Sequence, residues 1–324
     1  MVLVFRTSCA LLTLLSFSLM ANAGWERVDT GMFAWFHAIE FVDGQIGWTA
    51  GSNGTLLKTT DGGNTWTRSE SGTKDTILDV RFVNRDNGWM LVESSRSGRP
   101  SENGTYLLRT RNGGESWTRF GLGEQPERFV RMLFTGPEKG FLIGEGGITR
   151  SLPGLSENIV ITTLPSRFLI LDGEVLGPSK IVLVGGGGTI ILSDDGGAAW
   201  RSAAFIGDAP RSKLNAVNFF DNKFGWAVGN GGSIFSTETG GRSWSGQNSN
   251  VNEPLLDVKF VDRSVGIAVG DNGIILSTTD GGVHWSREKS GNRHRLERLA
   301  FASGKVFAVG FGGTILTSKI NARN

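Results

Sequence analysis

The chain has 324 residues, with 33 Lys and Arg against 31 Asp and Glu, a formal net charge of +2 and 48 glycines. So even a balance lacks the basic excess that bulk nucleic-acid binding requires. One Cys excludes a disulfide framework, and three His without ligand spacing exclude an imidazole-built metal site.

Residues 1–23 read as a secretory signal peptide. Arg6 precedes an apolar run from Ala10 to Met20, and Ala21-Asn22-Ala23 before Gly24 is a small-x-small cleavage pattern. The run is too short to span a bilayer. Cleavage removes Cys9, which also lies too early to carry a lipid at the cleavage point. The expectation is a periplasmic or extracellular chain, residues 24–324, with no transmembrane span in the mature form.

From residue 24 onward the sequence repeats. An apolar-x-Phe strand recurs as AIEF (38–41), DVRF (79–82), RMLF (131–134), AVNF (216–219), DVKF (257–260) and RLAF (298–301). A strand ending in Gly follows at Gly51, Gly144, Gly185, Gly229, Gly270 and Gly310, with GWMLV (88–92) as the copy that lacks the Gly. The period-2 alternation of these segments identifies strands. A third strand leads into an Asp-box: TTDGGNTW (59–66), TRNGGESW (110–117), SDDGGAAW (193–200), TETGGRSW (237–244) and TTDGGVHW (278–285). The glycine pair supplies the positive φ of a tight turn, and the Trp opens a fourth strand.

Four strands in a unit of about 40–45 residues is the β-propeller signature. Counting units predicts an all-β fold, a seven-bladed propeller of four-stranded antiparallel blades, in one domain. The seventh unit stops at TILTSKI without a fourth strand, while Trp25-Glu-Arg-Val-Asp-Thr-Gly31 parallels Trp66 to Gly72. The N-terminal strand therefore closes the ring and removes a long exposed edge. A monomer is expected.

The boxes sit at equivalent turns of separate blades, so their carboxylates do not converge on one substrate. Asn112 and Thr239 stand where Asp61, Asp195 and Asp280 stand, so the position stabilises a turn. Nine of the ten Trp fall on repeat positions and read as packing; only Trp35 lies off the repeat. His37, His284 and His294 occupy unrelated positions, and neither a metal nor a cofactor is predicted. Sialidases also carry Asp-boxes on propellers, but they pair a Tyr with a Glu. The only Tyr, Tyr106, stands at the repeat position of Leu56, which predicts a structural role. A two-carboxylate glycoside hydrolase, or a carbohydrate-binding propeller, stays open as the alternative.

Departures from the repeat carry more information. A polar insertion, ESSRSGRPSEN (93–103), joins two strands of the second unit, and ITRSLPGLSEN (148–158) replaces the box of the third. The links between units carry Arg128, Arg131, Arg167, Arg211, Lys213, Arg293, Arg295 and Arg298, on the end opposite the boxes. Arg96 and Arg99 of the insertion could join them. Arg suits bidentate carboxylate contacts and protein interfaces. Two readings are open: one patch that binds a protein, or scattered solvated charge together with channel ion pairs among Asp79, Arg81, Asp257 and Lys259.

The segments GWTAGSNGTLLKTTDGGNTW, FVDGQIGW, FVNRDNGW, WERVDTG and VFAVGFGGTIL resemble the photosystem II assembly and stability factor family over nearly all of residues 24–320. The resemblance implies a lumenal or periplasmic seven-bladed propeller without catalysis, working as a scaffold for a protein client that is a membrane-complex subunit. It also implies an arginine patch, for which PERFVRMLF (126–134), PSRFLI (165–170) and RHRLERLAF (293–301) are the similar segments. The chain departs from the cyanobacterial form in lacking a lipid-attachment Cys.

Overall fold

The computed structural model describes residues 24–94, 104–120, 128–136, 139–144, 148–152, 161–164, 166 and 168–320. The signal-peptide reading of residues 1–23, the insertion from 95 to 103 and the region 153–160 that replaces the third box lie outside them.

The described strands form an all-β propeller. Six sheets are four-stranded antiparallel blades, and a further sheet has five strands. The first blade shows the order: inner strand Phe36–Phe41, then Gly47–Gly51, Leu56–Thr59 and outer strand Thr67–Ser69. The other inner strands are Thr76–Phe82, Phe129–Gly136, Ile170–Val175, Leu214–Phe219, Leu255–Phe260 and Leu296–Ala302. The N-terminal strand Glu26–Arg27 pairs antiparallel with Thr314–Lys319, so the last blade is completed from the other end of the chain, as the sequence predicts.

One expectation needs correcting. In the sheet of Leu214–Phe219, Ala204–Ile206 adds in parallel to the outer strand Ser243–Gln247. The link after Arg201–Ser202 crosses to the next sheet, where the Phe205 ring meets Phe235 edge-on at 5.9 Å. Burying that ring and pairing the outer edge favour the fifth strand over a free loop.

Close approach explains the glycine that ends each second strand. A Cβ on Gly51 would lie 1.9 Å from the Trp35 carbonyl oxygen, and Gly229 would meet the Lys213 oxygen at 2.2 Å. In the second blade, which lacks this Gly, strand pairing runs on instead, to Thr76 opposite Glu93.

The boxes are hydrogen-bonded turns. Asp61 Oδ1 accepts the Thr65 N–H at 2.9 Å, and its Oδ2 accepts the Thr65 hydroxyl at 2.6 Å. The Thr59 hydroxyl accepts the Gly63 N–H at 2.9 Å. Asn112 takes the same role toward Ser116, and Thr239 toward Ser243.

Between blades the core is aromatic. Trp48 stacks on Phe82 at 3.5 Å and 6°, and Trp226 on Phe260 at 3.4 Å and 7°. Trp117 and Trp285 close on the same Phe rings edge-on. Each such pair contributes about 0.5–1.5 kcal/mol beyond its buried area. Tyr106 is likewise structural: its hydroxyl donates to Asp75 at 2.8 Å and meets Thr73 at 2.7 Å, under the Arg119 guanidinium.

Candidate functional site

Seven inner strands surround a central channel of about 630 Å³. Every inner strand carries a register irregularity near its start, where one residue is passed over in the pairing with the next strand. The residues passed over form a ring at the channel mouth: His37, Leu78, Val130, Leu171, Asn215, Leu256 and Glu297. These residues line a depression of about 230 Å³ together with Arg131, Lys213, Arg295 and Arg298.

Below the mouth, the channel wall alternates in charge. Asp79, Arg131 and Asp172 follow one another on adjacent blades, with Arg131 Nη1 3.7 Å from Asp79 and Nε 3.2 Å from Asp172. The carboxylates also join blades through the backbone. Asp79 accepts the Met132 N–H at 2.9 Å, Asp172 that of Val217 at 3.0 Å and Asp257 that of Leu299 at 2.8 Å. Arg81 donates to Glu40 at 2.8 Å across the seam of the first two blades.

Burial dominates the electrostatics of this wall. It pushes the Asp257 carboxyl up to about 6, against the pull of Lys259. Glu40 and Glu174 move upward for the same reason, opposed by Arg81 and Lys259 respectively. For Lys259, burial acts against the ammonium, but Glu174 and Asp257 outweigh it and the net direction is upward.

The eight basic link residues divide. Arg131 is 3% exposed and belongs to the channel wall, which corrects its assignment to a surface patch: two neighbouring Asp carboxylates hold its guanidinium inside. Arg298 donates to the carbonyls of Leu256 and Glu297 from the mouth. Arg295 is half-buried and contacts Asp271 at 3.2 Å and Glu297 at 2.9 Å. Arg128 is exposed and pairs with Glu93. Arg211, Lys213 and Arg293 are exposed, and no ion pair is formed by them among the described residues. Arg167 lies outside the described residues. The structure therefore brings Arg131, Lys213, Arg295 and Arg298 to one mouth, with Arg211 and Arg293 on the links beside it.

Pattern reading missed His37, Asn215 and Glu297 as mouth residues. Glu297 Oε1 accepts the Trp35 indole N–H at 2.9 Å, and Oε2 lies 2.8 Å from His37 Nδ1. A local irregularity shifts the alternation by one residue, so a strict period of two places these side chains on the wrong face. Among the described residues no cluster of His, Cys, Asp and Glu could hold a metal, and no helix is long and apolar enough to cross a membrane.

Similarity to known proteins follows the same architecture. A rice (Oryza sativa subsp. japonica) chloroplastic photosystem II stability/assembly factor, HCF136, is 31% identical over 133 residues, spanning 38% of this chain and 30% of the rice protein. A solved structure of YCF48 bound to D1 peptide superposes with a TM-score of 0.75 at 21% identity, covering 94% of this chain and 97% of that one. A xyloglucanase from Xanthomonas campestris superposes at 0.72 with 12% identity, over 92% of this chain and 54% of the enzyme. At those identities the two structures share the fold alone. The family described as photosynthesis system II assembly factor YCF48 matches residues 17–126, 157–238 and 236–323. By that match, which takes in most of its length, the chain belongs to the YCF48 assembly-factor family.

Proposed function

We propose that this chain is a secreted, non-enzymatic propeller scaffold that binds a protein client, a subunit of a membrane complex, through its basic channel mouth. In this reading the ring is seven-bladed, the five-stranded sheet counted as a blade, and it acts as a monomer. The observation that carries the reading is the gathering of Lys213, Arg295 and Arg298 around one depression, beside exposed Arg211 and Arg293. Family membership supports it, and a YCF48 structure holds a D1 peptide. An acidic or extended polypeptide segment suits this face: exposed Arg211, Lys213 and Arg293 attract carboxylates, and the Leu78, Val130, Leu171 and Leu256 side chains offer apolar floor beside them. The wall carboxylates Asp79, Asp172 and Asp257 are engaged by backbone N–H groups, which fits a structural task better than glycoside hydrolysis.

A photoreactive residue placed at Lys213 in living cells tests the reading. It captures a defined polypeptide that the same residue at Lys223, on the Asp-box end, does not. Equal capture at both positions, or none, contradicts it. Residues 1–23 direct export in this account, so the mature protein begins at Gly24 and fractionates with periplasmic or extracellular markers.

A further inference from the structure

Three aromatic residues, Phe33, Trp35 and Phe311, gather at one place. Trp35 precedes the first inner strand, and Phe311 occupies the turn after Gly310, where the equivalent turns carry Ser52, Gly186, Asn230 and Asp271. Those turns form without an aromatic ring, so Phe311 is not demanded by the fold. Phe33 is 82% exposed and gains little from folding, while Phe311 rests on Trp35 and still leaves 38% of its surface exposed. Phe33 meets Phe311 edge-on at 6.1 Å, Phe311 meets Trp35 edge-on at 5.4 Å, and Trp35 lies 5.1 Å from His37 at the channel mouth. The rings make a continuous ledge from the rim to the depression. Exposed Arg293 stands beside it on the link to the last inner strand, and the Arg295 guanidinium lies over the Trp35 ring at 5.9 Å.

We infer that this ledge is an anchor site for a large apolar or aromatic side chain within an acidic peptide segment. The inference rests on the client-binding reading of the basic mouth and names what that mouth selects. Exposed rings in contact gain from being covered by another apolar group. Arg293 and Lys213, exposed on the same end of the ring, supply the charge that attracts the carboxylates of the segment. A sugar ring fits less well, because the indole N–H of Trp35 is committed to Glu297 while Phe311 and Arg295 crowd its ring. Selection for the anchor comes from the rings, and general attraction comes from the cations.

Calorimetric titration of the full chain with a short acidic synthetic peptide carrying one Phe, and with its Phe→Ala counterpart, tests the site. The wild type prefers the Phe peptide by about tenfold, the size of a modest interface anchor. Phe33→Ala combined with Phe311→Ser erases the preference while the Ala peptide binds as before and the variant stays folded by circular dichroism; Phe33→Ala alone, at an 82% exposed side chain, weakens the preference with the melting temperature unchanged. No preference in the wild type, or a preference that survives the double variant, overturns the site. If both peptides bind equally and both weaken with Arg211→Glu, Lys213→Glu and Arg293→Glu, the basic mouth stands and the ledge alone falls. If neither peptide binds, both fall. Phe33-dependent binding of anionic vesicles or oligosaccharides, or Phe33-dependent self-association, without a Phe preference also overturns it.

Discussion

Asp61 and Asp257 are both repeat carboxylates, yet their surroundings pull them in opposite directions. Hydrogen bonds from the Thr65 hydroxyl and backbone lower Asp61 to about 2, whereas burial raises Asp257 to about 6. An unfolded Asp titrates at about 3.9. Asp61 therefore contributes stability above that value, which is lost as pH falls toward about 2. Asp257 contributes most below its unfolded value and loses that contribution as pH rises through about 6. Asp61→Asn is structurally tolerable, because Asn112 already fills the position in the second box. In urea denaturation, wild type loses stability relative to Asp61→Asn between pH 4 and pH 2, while the difference stays flat above pH 4. Relative to Asp257→Asn, wild type weakens instead between pH 4 and pH 7. Parallel slopes for the two variants would contradict these assignments. The box was legible in the sequence because Asn and Thr substitute at one position; the Asp257 environment was not, because burial depends on the neighbouring blades.

At the level of the element, glycine serves two separate purposes in one turn. Gly229 has an extended φ of −164°, and a Cβ there would press on the Lys213 carbonyl oxygen at 2.2 Å. Gly231, two residues on, has a φ of +67° and open space around it. Asn53 and Asn272 hold the corresponding left-handed position in other blades. Gly231→Ala is thus expected to cost about 1–2 kcal/mol, the penalty for a left-handed L-residue, and Gly231→Asn less. Gly229→Ala must displace the backbone beside the inner strand Leu214–Phe219, so its melting temperature falls well below that of Gly231→Ala. The reverse order in calorimetry would refute the close-approach account. The strands themselves were readable from alternation and from recurring Gly and Trp. The irregularity opening each inner strand was not, because it hides one residue inside an otherwise regular pattern. The extra strand Ala204–Ile206 also escaped, since its pairing is decided by contact with the next sheet through Phe235.

For the whole molecule, repetition makes the two ends of the ring different in kind. The Asp-box end repeats the same turn, while the opposite end collects what does not repeat: basic links, the mouth ring and the aromatic ledge. Sequence reading found that end through its Arg and Lys residues, but it could not separate wall from surface. Arg131 and Arg211 look alike in the chain; only the first is drawn between two Asp residues. The central claim is that the mouth end, through its exposed cations, binds an acidic polypeptide. Its most direct test is the affinity of one acidic peptide for wild type, for the mouth-end variant Arg211→Glu, Lys213→Glu, Arg293→Glu, and for the box-end variant Arg111→Glu, Lys223→Glu, Arg242→Glu. Both variants change charge equally on exposed side chains. The account predicts that the mouth-end variant loses about tenfold or more in affinity while the box-end variant stays near wild type at physiological salt. Equal losses in both, or no loss in the mouth-end variant, would contradict it.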